Sequence, residues 1–187
     1  MVTRKPIHDP ERIRALAHPV RLELLDYLGS VESATATQCA EIIGESVASC
    51  SFHLRMLNKH GFIERAASRG REKPWQIVKG GYDLRPSVDV TGSAVAVAEV
   101  ASLHVTREAE RVHRYLSGLS QEDPDWVDAS TVTSASFWAT PEETAQFSED
   151  LRNLVDRFAG RSEDPNLRPA GSRQVRMFGV VNPDAKS

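Results

Sequence analysis

Proline and glycine cut the N-terminal third of this chain into short lengths, so neither a long helix nor a wide sheet fits there. In DPERIRALA, Asp9 is the expected cap and Pro10 takes the first helical position, with Ile13, Leu16 and Ala17 on one face. Pro19 opens a second helix, PVRLELLDYLGS, whose Val20, Leu24, Leu25 and Leu28 recur at helical spacing. The loop SVESATA leads to TQCAEIIG, with Thr37 as the expected cap and Gly44 as the stop. Ser46 then caps SVASCSFHLRMLNKHG, which Gly61 ends.

The fourth helix has two distinct faces. Val47, Cys50, Leu54 and Leu57 recur at steps of three, four and three, and form the stripe expected to be buried. The other side carries Ala48, Ser49, Ser51, Phe52, Arg55, Met56 and Lys59. Small hydroxyl side chains permit close approach to a duplex, and long cations reach base edges or phosphates. An ordinary solvated face would share that composition. The segments C-terminal to this helix narrow the choice: FIERAA and PWQIV read as strands joined by SRGREK, a hairpin with Arg69, Arg71 and Lys73 at its tip. Helix, turn, helix and basic hairpin is the order of a winged helix-turn-helix.

Charge follows the same division. The chain is formally -3 overall, yet Ser46 to Lys79 holds seven basic residues against two acidic ones. Such asymmetry suits a nucleic-acid-binding module joined to something else.

The runs LAHPVRLELLDYL, TATQCAEIIGESVASCSFHLRMLNKHGFIE and GREKPW resemble the DNA-binding domain of ArsR-type winged-helix transcription regulators, in particular an actinobacterial branch. The likeness spans about residues 9 to 80 and is most specific in SFHLRML and GREKPW. It implies that Ser49, Ser51, Phe52 and Arg55 face DNA; Lys59, on the same outer face by helical spacing, is a further DNA-binding candidate. It also implies that Thr35, Thr37 and Gln38 open the preceding helix near the backbone, and that Arg69 and Arg71 serve the wing, beside Lys73 of the hairpin tip. His53 falls in the family's His-Leu pair, where either a phosphate contact or a structural hydrogen bond is implied.

Metal-sensing members of that family carry a Cys-x-Cys pair, and the corresponding positions here are near Thr35 and Thr37, poor ligands for a thiophilic metal. Cys39 and Cys50 read as small core residues. His104, Glu108, Glu110 and His113 have the spacing for a carboxylate and histidine site on a C-terminal helix, which leaves a metal-responsive repressor as an alternative. No metal and no cofactor are expected.

Beyond the link KGGYDLRPS, one long helix is expected over about residues 92 to 120. Its stripe of Ala94, Val97, Ala101, Val105, Val112, Tyr115 and Leu119 is long enough to suit a second subunit. The last third reads strand, helix, strand: STVTSASFWA, then TPEETAQFSEDLRNLVDRFAG with Thr140 and Glu143 at capping-box spacing, then RQVRMFGVV. Phe147, Leu151, Leu154 and Phe158 are the helix's expected buried face. Trp126, Phe137 and Trp138 could wall an effector pocket, with Arg176 meeting an anion, or could simply fill a small core.

The expected fold is therefore mainly α with small β, an α+β class: a winged helix-turn-helix over residues 1–80, then 81–187 with the dimerisation helix and a small regulatory unit. The expected function is a sequence-specific DNA-binding transcription regulator. It would be a homodimeric repressor on a pseudo-palindromic double-stranded operator, responsive to a small effector. A protein-interaction module built on a winged helix is the other alternative. With 40% hydrophobic residues, no apolar run of ~18 residues and no signal-peptide core, the chain is expected to be cytoplasmic, reduced and free of membrane. No phosphate-cradling loop, nucleophile elbow or HExxH occurs, so no enzyme is expected.

Overall fold

The computed structural model describes residues 6–67, 73–78, 83–84, 86–162 and 164–184. The chain divides into two compact units within its longest helix, one holding residues 1–104 with 158–174, the other 105–157 with 175–187.

In the first unit four short helices follow one another: α1 (Pro10–Arg14), α2 (Pro19–Leu28), α3 (Ala36–Ile43) and α4 (Val47–Lys59). Three of them start where a side chain caps free backbone N–H groups of the first turn, while α2 starts on Pro19, which has no N–H to satisfy. The Asp9 carboxylate accepts from the Glu11 N–H at 3.0 Å, and the Ser46 hydroxyl accepts from the Ser49 N–H at 3.1 Å. The third helix begins two residues earlier than expected. Thr35, not Thr37, is its cap, because Thr35 and Gln38 form a reciprocal capping box. The Gln38 N–H donates to the Thr35 hydroxyl at 3.3 Å, while the Gln38 side-chain oxygen accepts from the Thr35 N–H at 2.8 Å. At the other end Gly44 has φ 78°, a left-handed closure that a side chain would strain.

The hairpin pairs β2 (Ile63–Arg65) with β3 (Trp75–Ile77), with Ile63 opposite Ile77 and Arg65 opposite Trp75. Ala34 adds a bridge to Trp75 through two backbone bonds of 2.9 and 2.8 Å, tying the hairpin root to the α2–α3 connection. Two short strands were not expected, β1 (Pro6–Ile7) and β4 (Asp83–Leu84), which pair in parallel. Two residues each is too short to give a period-two pattern.

The core is formed by Ile13, Leu16, Leu22, Leu24, Leu25, Leu28, Leu54, Leu57 and Ile63, with both cysteines among them. Val47 was expected in it and is instead 46% exposed, while His53 is buried at 9%. At about 100° per residue the buried arc of α4 is centred on Cys50 and Leu57; Val47 and His53 lie on its two flanks, and only the second meets the core.

Helix α5 (Ser93–Ser117) follows the expected long helix closely. Its first turns belong to the core, for Ser93, Ala96 and Val100 are buried and Val97 packs alongside. The Ser93 hydroxyl accepts from the Ser87 N–H at 3.1 Å and anchors the helix start. The stripe expected to face a second subunit is thus shared: Val97 is used within the unit, whereas Ala94, Ala101 and Val105 are exposed.

The second unit contains the rest of α5, α6 (Pro124–Asp128) and α7 (Pro141–Asn153). Thr140 and Glu143 form the expected capping box. The flanking strands do not form: among the described residues no strand lies beyond Leu84, and 131–143 is exposed throughout. An alternating pattern needs a partner strand and a core to bury its apolar half, and two strands alone are marginal. Here Val132 is 82% and Val175 73% exposed, so neither segment has that core. The expected apolar face of α7 is exposed for the same reason, with Phe147 at 44% and Leu154 at 50%. Beyond Val100 no described residue is buried. Among the described residues no helix is long and apolar enough to cross a membrane.

Candidate nucleic-acid interface

Helix α4 is held from behind by its apolar arc and from its C-terminal end by polar ties. The Asn58 amide donates to the Ile63 carbonyl at 2.9 Å, fixing the turn into β2, and the Arg12 guanidinium donates to the His60 carbonyl at 2.8 Å. Gly61, at φ 72°, lets the chain reverse between them. These contacts fix which side of the helix faces out. Ala48, Phe52, Arg55 and Lys59 are exposed and Ser49 and Ser51 half-buried beside them, so the expected polar ridge is present.

Phe52 is 53% exposed although buried apolar side chains surround the helix's other face. Among the described residues Arg55 makes no ion pair, whereas Lys59 lies 3.8 Å from Glu11 with both side chains largely in water, a weak pairing. On α3, Thr37 and Gln38 are exposed and Thr35 is half-buried; the Gln38 carboxamide oxygen is committed to the cap. Lys73 is exposed on the hairpin. Arg69 and Arg71 lie outside the described residues.

His53 faces inward. Its ring centroid lies 4.3 Å from that of His18 and its edge meets Phe52, with centroids 5.2 Å apart. The Nδ1 atoms of both histidines and the Arg21 Nε are enclosed without a hydrogen-bond partner among the described residues. Burial lowers the His53 pKa first, and the charges of His18 and Arg21 lower it further, against an opposing pull from Glu45. This imidazole belongs to the joint between α2 and α4 rather than to the outer ridge.

One residue without an expected role joins the site. Arg65 stacks on Trp75 with its guanidinium carbon 3.5 Å from the ring centroid, and it donates to the Lys73 carbonyl. Ala36, Ser51, Arg55, Arg65, Lys73 and Trp75 line one shallow crevice between α4 and the hairpin root. The signal in the sequence is the cross-strand register, which the turn length sets and composition does not.

Neither cysteine is suited to metal or redox chemistry. Both are free and buried. Burial, helped by the neighbouring Cys50, pushes the Cys39 thiol up to about 11, and burial with Glu45 raises Cys50. Glu108 is taken by Arg111 at 2.6 Å and lies 3.8 Å from Arg176. Among the described residues no three His, Cys, Asp or Glu side chains cluster as a metal site. In the second unit Phe137 meets Phe147 edge-on with centroids 5.3 Å apart, Trp126 is half-buried on α6, and Trp138 stands fully in solvent. Trp138 therefore walls no pocket here.

A family model described as a helix-turn-helix domain matches residues 16–66, from the start of the α2 region through β2. An apo mutant of Lactococcus lactis ZitR is 17% identical over 76% of this chain and 83% of its own, with a TM-score of 0.36. The transcriptional regulator homologue from Pyrococcus horikoshii OT3 is 18% identical over 51% of this chain and 87% of its own, with a TM-score of 0.34. At these scores neither likeness bears on function. No curated protein matches the chain. Residues 16–66 thus form a helix-turn-helix domain.

Proposed function

We propose that this chain is a DNA-binding transcription regulator of ArsR type, acting as a homodimeric repressor with α4 as its recognition helix. The observation that carries the reading is the outer face of α4, where Phe52, 53% exposed, stands between Ser51 and the exposed Arg55. A phenyl ring left half exposed forfeits roughly 1 kcal/mol of burial. Against a duplex it has a use, since an aromatic ring packs on a thymine methyl while an arginine reads guanine O6 and N7. A protein-interaction surface would gain from the phenyl but not from the adjoining cations.

Pairing of two chains is supported by α5. Ala94, Ala98, Ala101 and Val105 are exposed at steps of four, three and four, the seam along which two helices approach closely. The second unit, with no buried residue among those described, gains a core from such pairing. Two copies then present their α4 helices to half-sites about one helical turn, ~34 Å, apart.

Selection of bound sequences from random duplexes tests this reading. An inverted repeat with that half-site spacing is the expected product. A pool with no enriched sequence contradicts it.

A further inference from the structure

The crevice between α4 and the hairpin root brings three cations together, Arg55, Arg65 and Lys73, beside the Ser51 hydroxyl. Among the described residues none of the three forms an ion pair. The β2 carboxylate of Glu64 accepts from the Gln76 side-chain amide at 2.9 Å. Like charges held close repel, and only Arg65 has a structural reason to be there, its stacking on Trp75. All three residues are exposed, and neither Arg55 nor Lys73 is required there by core packing.

Arg65 differs from the other two in being fixed. The β2–β3 register sets it opposite Trp75, whose ring it covers at 3.5 Å, and its Nη1 donates to the Lys73 carbonyl. A stacked guanidinium has given up its rotamer freedom before any ligand arrives, and its remaining N–H donors keep the planar fork that suits two oxygens of one phosphate. Preorganisation of that kind strengthens binding because less order is lost on association.

We propose that this crevice seats one phosphodiester of the DNA backbone, with Arg65 as its preset ligand and Lys73 completing the positive wall, while Arg55 at its α4 edge is left to the base edges. The proposal rests on the duplex-binding reading of α4 and adds a site to it. Such a contact fixes the register of the helix in the groove and carries no sequence information itself.

The test compares parent, Arg65→Gln, Arg65→Lys and Arg55→Ala by anisotropy titration across a salt series. Each protein is titrated against the selected sequence and against a random duplex of about two turns. Arg65→Gln is expected to weaken both duplexes alike and to reduce the slope of log affinity against log salt by about one. Arg65→Lys, which keeps the charge but loses the fork, is expected to restore the slope and only part of the affinity. Arg65→Gln with the parent's slope and affinities, while Arg55→Ala still loses the selected sequence, overturns the seat and leaves the α4 reading standing. If Arg55→Ala also matches the parent, both fail. A saturable spectral response to inorganic phosphate at matched ionic strength, lost in Arg65→Gln while that variant keeps the parent's DNA affinities and salt slope, would assign the crevice to a small phosphorylated ligand and overturn the backbone seat.

Discussion

Arg55→Ala is expected to weaken binding to the selected sequence by about 1–3 kcal/mol, roughly 5- to 150-fold, while binding to random duplexes falls much less. The side chain is exposed on the outer face of α4 and makes no ion pair among the described residues, so its removal leaves the core untouched. The bidentate geometry available to arginine discriminates guanine from other bases, and alanine cannot reproduce it. The variant should therefore melt like the parent and tolerate base changes at one position of each half-site. Anisotropy titrations at fixed salt check this. Equal affinities and equal base preferences in parent and variant would remove Arg55 from the interface.

Acidification is expected to loosen the same domain from within. His53 is buried against His18, with Arg21 close by and Glu45 the facing carboxylate, and its pKa is lowered. The folded chain therefore prefers the neutral ring, whereas the unfolded chain takes up a proton near the ordinary value of about 6.5. Stability from this group is complete above that value and declines as pH falls through it toward the lower folded pKa. Melting temperatures measured from about pH 7.5 down to about pH 5 should drop in the parent, and the drop should be shallower in His53→Gln. Since the ring supports the back of α4, affinity for DNA should fall over the same range. Parallel melting profiles in parent and variant would show that the imidazole is not the titrating group.

The helices of the first unit were legible because their signals are local. Asp9 with Pro10, Ser46 and Gly61 each act within a few residues, and the hairpin strands carried their own pattern. The third helix shows how a local signal can be passed over: Thr35 and Thr37 both suit a cap, and only the glutamine three residues on selects Thr35. Periodicity assigned α4 its buried face but not the limits of that face, which depend on where neighbouring elements end. Val47 and His53 exchanged places for that reason.

The C-terminal region was harder to read, because STVTSASFWA and RQVRMFGVV have strand character but, among the described residues, no partner strand and no buried core. Local preference without burial does not make a strand. The role of Arg65 was hidden in another way, since its contact with Trp75 depends on a strand register that no single segment encodes. The outer ridge of α4, by contrast, is where the residue pattern put it.

Amide-resolved NMR titration of the full chain with the selected duplex bears most directly on whether that ridge meets DNA. Shift changes along Val47–Lys59, joined by Arg65 and Lys73, with the amides of α7 unmoved, are the expected result. A duplex that binds while the α4 amides stay still, or that moves only the second unit, would contradict it.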